Sequence, residues 1–328
     1  MIAPNFHQIP NTPRTPPFRF LRFLFFPSLT ATALWLSGAL AQQAPPSAPP
    51  SSPAAPAPKA DPGAERTVRA AIELLNPKQP GWLETKLRQQ VHARGLAFNA
   101  DGRYVSGPDH RLHLELTVHL GSADGALQVI SDGSTVWEEV HIGKGEHFVS
   151  RWNLKKVEEA LNSPGSLPQI REQFYRSRAF AGVVPLLQNV RDQMTFTKQE
   201  DADWQKHKVL KLTAVWSAQV SKNLSPQGNA WPPLMPRTCQ LFLGKDAPHW
   251  PYRLEWRGPT TPGAEDSLLM EMEFQSPRFT AASDPPPPDY ARLFSFDPGK
   301  MKVLDRTQEI SDFVTAQIRN QAKPAKVP

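Results

Sequence analysis

The alternation of apolar and polar residues is clearest between Arg111 and Leu120. Every second residue there is apolar, and the residues between them are polar or charged. Successive side chains of a strand point to opposite faces of a sheet, so this pattern predicts a strand with one buried face. Residues 126–130 and 135–142 flank Asp132-Gly133, a dipeptide typical of tight hairpins, in which both central residues need positive φ. We therefore expect an antiparallel meander here.

Other segments repeat the period of two and raise the expected number of strands to about eight or nine. The predicted strands are a long one over residues 83–97 with a partner at 102–105, and then residues 209–220, 239–243, 252–256, 268–274 and 293–296.

Helical spacing predicts an opening helix over residues 65–76, a closing helix over 311–318 and a helical insert over 153–194. In the insert, Asn153 can cap a helix that carries Leu154, Val157 and Leu161; residues 167–175 and 183–194 form two more pieces, the last with Pro185 in its first turn. A large sheet with one apolar face must curl or be covered, and these helices are the available cover. The predicted class is an α+β fold with a curved antiparallel β-sheet, a helical insert over its concave face and a C-terminal helix.

The N-terminus has the layout of a secretory signal. Residues 1–22 contain arginines and no acid, residues 23–41 are apolar apart from small hydroxyl residues, and Ala39-Leu40-Ala41 resembles a peptidase site. We predict a signal peptide over residues 1–41, cut after Ala41, although an uncleaved membrane anchor is the alternative. Residues 42–64 are rich in Ala, Pro and Ser and predict a disordered linker. The folded domain should then cover residues 65–320, followed by a disordered tail over 321–328.

The charge and the single cysteine exclude some functions. The net charge of +6 includes three arginines of the predicted signal; without them, 34 basic residues face 31 acidic ones, interleaved along the chain. We therefore expect no nucleic-acid partner. Cys239 cannot form an internal disulfide, and its place before Leu241 predicts burial in a strand.

Four segments together resemble the LolA/LolB-like superfamily of lipoprotein carriers. The first segment is an opening helix that leads into long strands. The second, Val129 to Trp137, looks like that family's strand, Asp-Gly turn and strand. The third, Tyr252 to Trp256 with Met272 to Phe274, looks like its later strand pair, and the fourth, Leu293 to Gly299 followed by Val303 to Asp305, resembles its terminal segment. The resemblance spans about residues 65–310. It implies a half-barrel whose concave apolar face holds acyl chains in the cell envelope, as in carriers or in stress sensors of the RseB type. The insert is longer than a carrier lid, and no single arginine matches the residue with which that family latches its lid.

The sequence offers few candidate catalytic or metal-binding residues. His113, Glu115 and His119 share one strand face, with His110 just outside it, but residues six apart in a strand are ~20 Å apart and cannot share a metal ion. We interpret this face as a solvated convex surface. No nucleophile with a neighbouring base and no phosphate-binding loop is recognisable, so we predict no catalytic residues, no metal, no cofactor and no enzymatic activity.

The apolar stripes are the best candidates for a site. The residues expected to line a ligand cavity are Leu112, Leu114, Leu116, Val118, Leu210, Leu212, Trp216, Met270, Met272 and Phe274. Methionine gives a deformable lining that suits variable apolar ligands. The hypothesis is an exported monomer, in the periplasm or secreted, that carries or senses a lipid, an acyl chain or a lipidated protein. The alternative is a scaffolding domain with a filled core. Glu271 and Glu273, on either side of Met272, should lie on the opposite, wet face.

Overall fold

The computed structural model describes residues 59–76, 81–93, 96–121, 123–143, 145–164, 166, 174, 182–224, 235–259, 264–281, 283–284 and 287–321. The strands are β1 Trp82–Ala93, β2 Leu96–Ser106, β3 Arg111–Leu120, β4 Ala123–Asp132, β5 Thr135–Ile142, β6 Glu146–Asn153, β7 Met194–Trp204, β8 His207–Trp216, β9 Thr238–Gly244, β10 Pro251–Pro259, β11 Asp266–Thr280 and β12 Val303–Asp305. The helices are α1 Pro62–Leu75, α2 Leu154–Leu161, α3 Val183–Gln193, α4 Ala218–Leu224, α5 Tyr290–Leu293 and α6 Thr307–Gln321.

All twelve strands of the described residues belong to one sheet in the order β12-β6-β5-β4-β3-β2-β1-β11-β10-β9-β8-β7. Neighbouring strands are antiparallel except β12, which pairs with β6 in parallel. The sheet does not close into a barrel, because β12 and β7 remain its two edges within the described part of the chain. The predicted α+β class with a curved sheet is therefore confirmed.

Several local predictions are confirmed by the strand pairing. β3 has the predicted bounds, and β4 and β5 form the predicted hairpin, in which Oδ1 of Asp132 accepts from the backbone N–H groups of Ser134 and Thr135. Only Gly133 of this turn has positive φ, at 92°, so the prediction that both central residues do is wrong. Cys239 is buried in β9, and burial together with the charge of Glu255 raises the pKa of its thiol.

Other elements differ from the predictions. The chain reverses between Ala93 and Leu96, so the predicted long strand is two strands. Strands β6 and β7 were not predicted, because their apolar residues alternate over only part of their length. Residues 293–296 form no strand; α5 ends there, and the last strand is β12.

The predicted helices are present in the structure, although α6 begins at Thr307 and not at residue 311. The strand predicted over residues 209–220 is wrong beyond Trp216, because α4 begins at Ala218. α1 begins at Pro62, ahead of residue 65, because the side chain of Asp61 caps it by accepting from the backbone of Gly63 and Ala64. Asn153 caps α2 as predicted, with Oδ1 accepting from Lys156 N at 3.0 Å. Of the predicted piece at 167–175, only Phe174 lies among the described residues. No helix in the described ranges is both long enough and apolar enough to cross a membrane.

Candidate functional site

One face of the sheet, called here the inner face, gathers all ten residues expected to line a ligand cavity. The strand registers connect them: Val118 lies opposite Ala100, which lies opposite Gln89, and Gln89 lies opposite Met272. The row continues through Leu254 and Leu241 to Leu212. Eight of the ten are buried, and Leu112 and Leu210 are half-buried.

Helices α1 and α3 lie on this inner face. Oγ1 of Thr67 in α1 donates to the side-chain oxygen of Gln199, which lies opposite Leu212. At the start of α3, Gly182 contacts the hydroxyl of Tyr104 so closely that a β-carbon there would overlap it. Burial raises the pKa of Tyr104 to about 12. Helix α1 therefore contacts the inner face at β7, and the start of α3, which belongs to the insert, contacts it at Tyr104 of β2.

On β8, β10 and β11 the inner face carries methionine and tryptophan side chains. Met270 and Met272 are neighbours on β11, and the Trp216 and Trp256 rings stack with centroids 5.8 Å apart. The indole N–H of Trp216 donates to the carbonyl of Pro236 at 2.6 Å, which fixes that ring. Polarisable sulfur and large aromatic faces can adapt to apolar ligands of different shapes.

The side chain of Gln89 is a polar group within this apolar surface. Gln89 is only 1 % exposed, and its side-chain nitrogen donates to the sulfur of Met270 at 3.2 Å. Its side-chain oxygen has no hydrogen-bond partner among the described residues. The sequence contained a signal that the prediction missed: Gln89 occupies the inward position between Leu87 and Val91, where alternation calls for an apolar residue.

The opposite face, called here the outer face, is not uniformly wet. Glu271 and Glu273 lie on it as predicted, but they are 6 % and 4 % exposed, so the expectation of a wet surface is wrong there. Arg253 explains their burial: its guanidinium lies 2.5 Å from Glu271 and 3.4 Å from Glu273, and it also pairs with Glu255 at 2.6 Å. A charged group leaves water at tolerable cost only when it is paired in this way.

The prediction of a solvated outer face is also wrong at His113. Its ring is buried, and Nδ1 lies 2.8 Å from the carbonyl oxygen of Leu293. The segment around α5 covers it by packing Tyr290 and Phe294 against Trp82. Glu115 and His119 are exposed, as expected, and His110 is exposed as well.

A polar cavity of about 560 Å³ lies beside β5, β6, α2 and α6. Its main polar groups bind one another: Arg151 pairs with Asp305 at 3.2 Å, and Thr307 Oγ1 accepts from the backbone N–H of Asn153. This arrangement ties β12 and α6 to the sheet, and we assign the cavity no ligand.

The chain is similar in structure to several solved proteins. It matches lipoprotein LppX from Mycobacterium tuberculosis at 15% identity over 66% of this chain and 94% of that one, with a TM-score of 0.35. It matches LprF from Mycobacterium bovis at 13% identity over 67% and 93%, with a TM-score of 0.36. It matches a putative outer membrane lipoprotein-sorting protein domain from Vibrio parahaemolyticus at 11% identity over 71% and 100%, with a TM-score of 0.23. No protein-family model and no curated protein matches the chain.

All three likenesses are at sequence identities of 15% or less. Because all three TM-scores are low, they carry no information about a ligand or a partner.

Proposed function

We propose that this chain is an envelope protein that binds an apolar ligand, such as a lipid, an acyl chain or a lipoprotein, between the inner face and its covering helices. The observation that carries the proposal is that the ten candidate residues, on β3, β8 and β11, share one face of the sheet. The strand registers between them connect these three strands through Ala100, Gln89, Leu254 and Leu241. The two methionines and two stacked tryptophans of that face give a lining able to reshape around a chain.

A charge placed on the inner face tests the proposal. Met272→Glu should abolish uptake of a pyrene-labelled long-chain alcohol, because an unpaired buried charge costs several kcal/mol even after relaxation. Glu271→Gln is not an inert control, because Glu271 is bound to Arg253. Thr117→Glu is the better control: Thr117 is exposed on β3, next to the buried Leu116, and the same charge there should leave uptake unchanged.

A second variant covers the case in which Met272→Glu fails to fold. Met272→Trp adds volume, so in a ligand cavity it should fold and lower uptake, whereas in a filled core overpacking should cost about 1–3 kcal/mol of stability. A folded Met272→Glu that takes up the probe like the wild type would contradict the proposal. A wild type that binds no probe, and that shows no co-purifying lipid by native mass spectrometry, would favour the scaffolding alternative.

Export is the second part of the proposal. Basic residues followed by the apolar stretch up to Ala41 support cleavage between Ala41 and Gln42, with Ala39 and Ala41 as the peptidase contacts. Mass spectrometry of the mature N-terminus should find a chain that begins at Gln42. An intact N-terminus in a membrane fraction would instead indicate an anchored domain.

A further inference from the structure

Gln89 marks a polar point within the proposed ligand site. It lies opposite Met272 on one neighbouring strand and opposite Ala100 on the other. Ala100 carries only a methyl group, so little side-chain volume flanks Gln89 on that side. The described residues around it on the inner face, Leu87, Val91, Ala100, Val118, Met270 and Met272, carry no charge.

The orientation of the amide is set by Met270. With nitrogen toward the sulfur, the amide donates at 3.2 Å; the reverse orientation would place the amide oxygen against the sulfur, and both are acceptors. The oxygen is therefore the free atom, and among the described residues nothing donates to it. A buried acceptor without a donor is destabilising, because it has lost its hydrogen bonds to water, and a leucine at this position would avoid that cost.

We propose that Oε1 of Gln89 accepts a hydrogen bond from the ligand, and that the ligand is therefore a long apolar molecule carrying an uncharged donor, a hydroxyl or an amide N–H. The inference rests on the function proposed above and names the ligand class for that site. A carboxylate head group fits poorly, because it would bring a second acceptor and a negative charge beside Oε1, where the described neighbours on the inner face named above carry no charge.

Two probes that differ in a single donor test this inference. Hexadecanol and its methyl ether share the chain and the oxygen acceptor, but only the alcohol has an O–H. We expect the wild type to bind the alcohol about tenfold more tightly, which corresponds to ~1.4 kcal/mol. Gln89→Leu should bring the affinity for the alcohol down to that for the ether. A purely structural role for Gln89 would alter stability and leave this ratio unchanged.

Controls separate the possible failures. Gln308→Leu changes an exposed glutamine outside the inner face and should keep the tenfold preference. Gln89→Met serves as a second apolar replacement of similar length if Gln89→Leu folds poorly. Equal affinities of the wild type for both probes, or a preference that survives both substitutions at Gln89, would overturn the inference and leave the proposed function standing. Binding of neither probe by the wild type would overturn both.

Discussion

The guanidinium of Arg253 lies 4.2 Å from the centre of the Trp204 ring. It also contacts carboxylates on its own strand and on β11, and it lies 5.9 Å from the centre of the Phe242 ring. Glu255 is additionally bound by Arg257 at 2.8 Å, and Glu273 accepts from the amide of Gln275. The outer face of β10 and β11 is thus held by a buried ionic cluster centred on one arginine.

Arg253→Met should lower the free energy of unfolding by about 3–5 kcal/mol, because it leaves buried glutamates without their main counter-charge. Urea unfolding at neutral pH measures the loss. Arg278→Met is the matched control, since Arg278 is exposed on β11, and it should change stability by no more than ~0.5 kcal/mol. Equal effects of the two variants would show that the cluster contributes nothing specific.

Gly182→Ala should destabilise the start of α3. Gly182 has φ 109° and ψ 178°, a region almost restricted to glycine, and a β-carbon would also overlap Oη of Tyr104. The backbone strain alone is worth about 1–3 kcal/mol. Thermal unfolding should show the loss, and Tyr104→Phe in the same chain should restore part of it, because the overlapping oxygen is gone. Full stability of Gly182→Ala would mean that α3 does not rest on Tyr104.

Tyr104 should make the folded state sensitive to alkali. Burial raises its pKa from 10.0 to about 12, so the folded protein keeps a proton that the unfolded chain loses. The stability that comes from this protonated side chain is fully present below the pKa of tyrosine in the unfolded chain. As the pH rises from there toward the pKa of Tyr104 in the folded state, the free energy of unfolding falls by up to ~1.4 kcal/mol per pH unit. Tyr104→Phe should flatten the fall in stability between these two pKa values in urea titrations. An unchanged slope would contradict the assignment.

Phe294→Ala should loosen the segment that covers His113. Phe294 is buried against Trp82, with ring centroids 5.4 Å apart, so truncation should cost about 3–5 kcal/mol. Phe313→Ala provides the same chemical change at a residue that is 54% exposed, and it should be nearly neutral. Faster hydrogen exchange around residues 290–294, measured in the Phe294→Ala variant, would locate the effect. A neutral Phe294→Ala would show that this packing does not hold the segment in place.

Local patterns in the sequence predicted those parts of the fold that depend on neighbouring residues alone. The alternation around Leu114 and Leu116, the turn at Gly133 and the cap at Asn153 all act within a few residues, and the structure contains each of them. The strand β12 was missed because it has only three residues, and its pairing with β6 bridges more than a hundred positions.

In the candidate site, too, some features follow from the local sequence and others only from the tertiary structure. Alternation by itself placed the ten apolar candidates, from Leu112 to Phe274, on predicted inward positions, because a period of two assigns faces without knowledge of the partner strand. Only the tertiary structure brought Gln89 beside Met270, buried Glu271 under Arg253 and covered His113 with the α5 segment. From sequence alone, polar side chains at outward positions are predicted to be exposed, because their burial depends on counter-charges and covering segments that lie far away along the chain.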